Sequence, residues 1–246
     1  MDFPRAEIKN FFDVILAGES KTYNDHNYYT NSGLKGYIQG SWGKKYSPLK
    51  KDLSQYTIGE IKSFQSNSRD SVGQLWATGR YQIIPDTLKG TSSKVGLSDS
   101  DLYSEVNQDK MAIQLLYGRS PIKNYITGAV ADNKENLEKA SLSMAQIWSS
   151  IGVPYAMQGE KKWVNKNESY YSGGGDKARI TTEATQEALR KLRKSYKKDG
   201  YSENSKTKSS KTKSASGTAL KGVGFGIIFL SVVGFAYGLY YFSRKK

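Results

Sequence analysis

Apolar residues at i, i+3, i+4, i+7 and i+8 place Ile8, Phe11, Phe12, Ile15 and Leu16 on one stripe of a predicted helix, which Asp2 and Pro4 can open and Gly18 stops. Leu137, Ala140, Met144, Ile147, Trp148 and Ile151 keep the same period and predict a core helix over 137–151, and Asn107 to Gly118 reads as another. A further amphipathic helix is predicted from about Thr182 to Lys198, with Ala184, Ala188, Leu189, Leu192 and Tyr196 inward. Glu183 in its first turn and the lysines at its end both suit the helix dipole. Thr57-Ile58-Gly59-Glu60 has capping-box spacing ahead of Ile61 and Phe64. Pro85 begins a helix, because the residue before it, Ile84, is held extended. The helical period fails over 23–50, where Tyr, Thr, Asn and Gly predict a small hairpin or irregular flap, and again over the Gly- and Tyr-rich stretch 153–175. The fold class is therefore α+β, helix-dominated, with one small β region.

The end of the chain follows a different pattern. Residues 222–242 carry no charge, and about twenty such residues in a helix span a hydrocarbon layer of about 30 Å. Lys221 and Arg244-Lys245-Lys246 bracket the stretch, and Tyr237, Tyr240 and Tyr241 suit a membrane interface. Residues 199–221 are mostly Ser, Thr, Lys and Gly and cannot bury apolar surface. The expected organisation is a folded domain over 1–198, a basic flexible linker over 199–221, a transmembrane helix over 222–242 and a basic tail over 243–246. Gly222-x-x-x-Gly226 and Gly234-x-x-x-Gly238 have the spacing of helix pairs that associate in membranes, which makes self-association a candidate property.

Charge sharpens this division. The chain holds 37 basic and 23 acidic residues, a net of +14, yet residues 189–246 alone hold 14 basic and 2 acidic. The basic character belongs to the tail, where anionic lipid headgroups are the simpler partner and no specific nucleic acid is expected. Lysines before the apolar stretch and Arg244, Lys245 and Lys246 after it give only a weak bias, towards a cytoplasmic domain. The expected location is a membrane that the chain crosses once.

The chemistry is narrowed by what is missing. There is no cysteine and one histidine, His26, so thiol catalysis, thiolate zinc sites and multi-histidine metal sites are excluded, and no cofactor or metal is expected. No phosphate-binding glycine loop occurs. Catalysis, where there is any, rests on carboxylates. Glu19 stands just past Gly18, where the negative end of the first helix and neighbouring apolar side chains both disfavour ionisation, as suits an acid held protonated. A solvated helix-end glutamate is the plainer alternative. Asp25, six residues on, is the candidate second acid, or else holds a turn with Asn24 and Asn27.

Gly18-Glu19-Ser20, Tyr23-Asn24, Thr57-Ile58-Gly59-Glu60-Ile61 with Gln65, and Gly79-Arg80-Tyr81-Gln82-Ile83-Ile84-Pro85-Asp86-Thr87-Leu88 resemble, in order and spacing, phage-type lytic transglycosylases and muramidases of the lysozyme superfamily. The likeness is to virion-associated and secretion-associated muramidases and, more distantly, to the transglycosylase endolysin of bacteriophage lambda. Ile147-Trp148-Ser149-Ser150, Gly152-Val153-Pro154 and the stretch 169–178 continue it, so that it covers roughly residues 8–195.

The resemblance implies a lysozyme-like domain with Glu19 as the catalytic acid, facing a cleft walled by the small β region. It implies cleavage of the bond between N-acetylmuramic acid and N-acetylglucosamine in peptidoglycan. Tyr23, Asn24, Tyr81, Gln82 and Tyr155 are the implied substrate contacts, Tyr81 equally suiting the core, and Arg80 is expected to pair with a nearby acid. Two reactions stay open: transglycosylation with a 1,6-anhydro product, which needs one carboxylate, and hydrolysis, which by the usual routes needs two. A virion protein that opens the host wall during genome entry fits the tail, and a non-catalytic wall-binding virion protein is a further alternative.

Overall fold

The computed structural model describes residues 5–20, 22–30, 33–38, 49–66, 73–173 and 178–198. The predicted linker and transmembrane stretch lie outside them; no described helix is long and apolar enough to cross a membrane. The described helices are α1 (Arg5–Leu16), α2 (Ile58–Ser66), α3 (Pro85–Lys94), α4 (Glu105–Tyr117), α5 (Ser120–Thr127), α6 (Lys134–Ala145) and α7 (Thr182–Lys198). The strands are β1 (His26–Thr30), β2 (Gly33–Ile38), β3 (Leu75–Thr78), β4 (Met157–Gln158) and β5 (Trp163–Val164).

The expected stripe on α1 buries Ile8, Phe11 and Phe12, with Phe12 edge-on to Tyr81 and Trp148. The capping box at α2 forms as its spacing requires: Thr57 N–H donates to Glu60 Oε2 (2.7 Å) and Glu60 N–H to Thr57 Oγ1 (3.2 Å). These bonds hold the exposed Glu60 carboxyl below its ordinary range. Pro85 opens α3, and α7 covers the predicted residues, packing on α1, α5 and α6 through Ala188, Leu189, Leu192 and Tyr196.

Two expectations are corrected. The β structure is not confined to 23–50: β1 lies between β2 and β3 in an antiparallel sheet of order β2-β1-β3, and a second antiparallel pair, β4-β5, falls within the stretch 153–175. β3 has only four residues, all but one buried, too short for an alternating signal. The helix predicted over 137–151 ends at Ala145. Turns carry the chain onward, with Ile147 and Trp148 N–H both donating to Met144 O (3.0 Å), so Trp148 and Ile151 still reach the core. Apolar spacing survived the end of the helix, and spacing alone could not mark it. Helix α5, which carries little apolar sequence beyond Ile122, Tyr125 and Ile126, ends on Gly128 in the left-handed conformation (φ +81°).

Arg193 of α7 closes that end. It is 5% exposed, stacks on the Tyr125 ring at 4.9 Å, and its guanidinium donates to Tyr125 O and to Val130 O (2.8 Å). Replacing Arg193 by Met keeps the packing volume but strands two carbonyls, each at a cost of about 1–3 kcal/mol. Urea unfolding of the R193M variant is expected to show a midpoint lowered by that much free energy with an unchanged slope.

Candidate active site

Glu19 emerges from the turn after α1, part-buried. Gly18 makes the approach possible, because a Cβ there would lie 3.0 Å from Ser150 Cβ and 3.2 Å from both Arg179 Cβ and Ile180 Cγ1. Arg179 Nη1 donates to Gly18 O (3.1 Å), and Arg179 and Ile180 N–H both donate to Ser150 O (2.7 and 2.9 Å). The segment following α6 thus pairs with residues 179–180 and turns its other edge to the catalytic candidate: Ser150 N–H donates to Glu19 Oε1 at 3.0 Å.

The chain from Ser20 to Asp25 is closed by Asp25, which is fully buried. Its Oδ2 accepts from Ser20 Oγ (2.7 Å) and Thr22 N–H (3.2 Å), and its Oδ1 from Thr22 Oγ1 (2.7 Å). Both oxygens are occupied in shaping the loop. Asn24 Oδ1 accepts Ser54 N–H (3.0 Å), tying the loop to the short helical turn Leu53–Gln55. His26, fully buried, makes a 3.0 Å bond between Nδ1 and Asn24 O, and burial holds its pKa below the ordinary histidine value.

Opposite stands the Gly79-Arg80-Tyr81-Gln82 turn, closed by reciprocal bonds between Thr78 and Ile83 (3.1 and 2.8 Å). Gly79 has φ +73°, and a Cβ there would meet Gln108 Oε1 at 2.1 Å, so the position accepts no side chain. Gln82 adopts φ +47°, a strained backbone for a non-glycine residue. Its Nε2 donates to Gly79 O (2.9 Å), while its Oε1 has only a 3.5 Å contact from Asn27 Nδ2. Arg80 pairs with Asp13 of α1, as expected, and donates to the Tyr23 hydroxyl (3.2 Å).

Two links join this turn to Glu19. Trp148 Nε1 donates to Tyr81 O (3.3 Å), two residues from the amide that holds Glu19, and Gly79 N–H donates to Asp25 O (2.7 Å). Two α4 side chains complete the clamp. Gln108, buried, accepts Arg80 N–H (3.0 Å) and donates to Tyr23 O (3.0 Å) and Tyr103 O (2.9 Å). Asp109 Oδ1 accepts both the Tyr23 and Tyr81 hydroxyls (2.8 and 2.5 Å). Burial, then Asp109, pushes both phenols far above their ordinary pKa, so they act as donors and not as bases.

The structure therefore brings Glu19, Tyr23, Asn24, Asp25, Tyr81 and Gln82 into one bonded network. Tyr81 is 2% exposed and braces the wall from inside. Tyr155 is exposed on the turn before β4, and no described bond joins it to the Glu19 loop or the turn. Gln108, Asp109 and the Ser150 amide escaped the sequence reading. Gln108 had one signal, a polar residue on the apolar face shared with Met111, Ala112 and Leu116.

The carboxyl at the end of the first helix is thus held by the Ser150 amide, and its loop is bonded through Asp25 O to the turn after β3. The model of the Endolysin family matches residues 9–177, and the chain belongs to that family, whose members are phage enzymes that degrade peptidoglycan. No curated protein and no solved structure matches the chain.

His26 is the sole histidine. With its native pKa depressed below about 6.5, the stability gained by burying it neutral is complete above that pH and is lost as pH falls towards the native value. Unfolding free energy is expected to drop between pH 7.5 and 5.5, and H26N, measured at both pH values by urea titration, is expected to flatten that drop.

Proposed function

We propose that the protein is a membrane-anchored lytic transglycosylase with Glu19 as its single acid and base. Ser150 N–H holds Glu19 by Oε1, and in this reading the acid proton of Glu19 passes to the oxygen linking N-acetylmuramic acid to N-acetylglucosamine as that bond breaks. The sugar is left oxocarbenium-like at C1. The carboxylate then takes the proton of the C6 hydroxyl, whose oxygen attacks C1 and closes the 1,6-anhydro ring without water. Gln82 Oε1 and Asn24 suit polar groups of the sugar.

What supports the reading is the state of the described acids bonded into this network. Asp25 is buried with both oxygens engaged, Asp109 receives two tyrosine hydroxyls, and Asp13 pairs with Arg80. Hydrolysis needs a second carboxylate about 5–5.5 Å from the first as nucleophile, or about 6.5–9.5 Å from it as base to a water. An acid wrapped in hydroxyls and amides does neither well.

The uncharged stretch 222–242 supplies the anchor in this reading, with the basic linker on anionic headgroups. The protein then belongs to a virion or host inner membrane and opens the wall during genome entry. Insertion from a host membrane into the particle reconciles the weak charge bias with a substrate across the bilayer.

Mass spectrometry of sacculi digested by the full chain in detergent is expected to show anhydro-muropeptides; reducing ends instead would establish a muramidase. E19Q is expected to lower the rate by about 10²–10⁴-fold. D25N is expected to lose stability while the folded fraction still forms the anhydro product. Alkaline washing of membranes is expected to leave the full chain bound and release a chain ending at residue 221.

A further inference from the structure

The backbone of Ser150 is fully employed beside Glu19. Its N–H donates to Glu19 Oε1 (3.0 Å), and its carbonyl accepts from Arg179 and Ile180 N–H (2.7 and 2.9 Å). Its hydroxyl is not. The residue is 4% exposed, and Oγ is buried with no hydrogen-bond partner among the described residues. A buried hydroxyl without a partner costs more than a methyl group in the same space, so alanine would fill this position at lower cost. A polar group idle in one state of a site is explained where another state gives it a partner.

No ligand reaches an atom without accessible surface, so that partner belongs to the protein itself. Two contacts point to Glu19. A Cβ added to Gly18 would lie 3.0 Å from Ser150 Cβ, so the serine side chain packs directly against the residue before Glu19. The amide of the same serine already holds the Glu19 carboxyl. Amide and hydroxyl of one serine are separated by only two carbon atoms, and a turn about Cα–Cβ between staggered wells brings both donors within reach of one carboxylate. The hydroxyls of the Glu19 loop are committed elsewhere: Ser20 Oγ and Thr22 Oγ1 both donate to Asp25 (2.7 Å each).

We propose that Ser150 is a positioning residue whose hydroxyl is idle against protonated Glu19 and turns to donate to the carboxylate as Glu19 gives up its proton. The inference rests on the function proposed above for the role of Glu19 as the acid. A carboxylate is acceptor-only, and a hydrogen bond to it is stronger than one between neutral groups. The hydroxyl keeps its own proton throughout. It is bonded where negative charge develops and unbonded in the ground state, and an interaction of that kind raises kcat without changing KM. When the carboxylate takes the C6 proton the hydroxyl is released and the resting arrangement returns.

The test compares the full chain in detergent with S150A, which keeps the backbone amide and deletes the hydroxyl. On sacculi kcat is expected to fall about tenfold, as the loss of one charge-assisted bond implies, with KM unchanged. Urea unfolding is expected to show a midpoint equal to or above that of the wild type, because the resting fold loses no bond. An unchanged kcat, a matching change in KM, or a lowered midpoint would overturn the proposal, the last because it makes the hydroxyl a bond of the resting fold. A second measurement needs no turnover: NMR titration of the Glu19 side-chain carboxyl in carbon-labelled protein, its signal assigned by its absence from E19Q. The charged and titratable groups bonded around the site, Asp13, Asp25, His26, Arg80, Asp109 and Arg179, are common to both proteins, so the difference between the curves reports the hydroxyl. Glu19 is expected to ionise about one pH unit higher in S150A, the same tenfold expressed in its acid constant. Coincident curves would overturn the proposal. Failure of the wild type to cleave the glycan sinks the function proposed for Glu19, and the titration then decides the role of the hydroxyl alone.

Discussion

The architecture of the site turns on where α6 stops. Were the helix to run on to 151, the Ser150 amide would be spent on Gln146 O, four residues back. Instead the Tyr171 hydroxyl takes Gln146 O at 2.6 Å and Ser150 N–H is released to Glu19. Each half of the broken backbone bond finds a partner, so ending the helix leaves no orphaned polar group at this position. From the turn that results come the amide on Glu19, the indole on Tyr81 and the carbonyl that pins residues 179–180.

Rigidity here comes from many modest bonds that share atoms. Asp25 joins the Glu19 loop to Gly79 through its backbone, Gln108 joins Gly79-Arg80 to Tyr23, and Asp109 joins Tyr23 to Tyr81. Removing any one leaves the others in place but exposes a buried partner, which is costlier than the net worth of the bond itself. Asp13, Asp25 and Asp109 are thereby engaged as structure, while the Ser150 amide holds Glu19.

Much of this framework can be read from the sequence. The α1 stripe, the stop at Gly18, the Thr57–Glu60 box, the Pro85 start and the span of α7 are local signals, each set by residues within one or two turns of each other. What was illegible depends on distant partners. β3 is a strand because β1 accepts it, α6 ends early because Tyr171 and Glu19 compete for its last bonds, and Asp25 is buried because Ser20 and Thr22 enclose it. Tyr81 was placed at the site from a motif, yet the motif could not tell a wall's surface from its interior. The brace of Tyr81, Asp109, lies 28 residues beyond it.

The strain at Gln82 follows from the same economy. A positive φ at a residue with a side chain costs of order 1–3 kcal/mol and survives only where surrounding contacts over-determine it. Here the Thr78–Ile83 pair, the Gln82 N–H on Gly79 O and the absent side chain of Gly79 against Gln108 impose the turn. The turn aims the Gln82 amide towards Asn27, with its nitrogen held at 2.9 Å and its oxygen in a loose contact at 3.5 Å. In the proposed reading this weakly satisfied acceptor exchanges Asn27 for a sugar N–H, while its nitrogen keeps the side chain from swinging away. The backbone strain thus secures an orientation that a relaxed turn would leave to side-chain entropy, and it does so on the wall that Trp148 and Ser150 couple to Glu19.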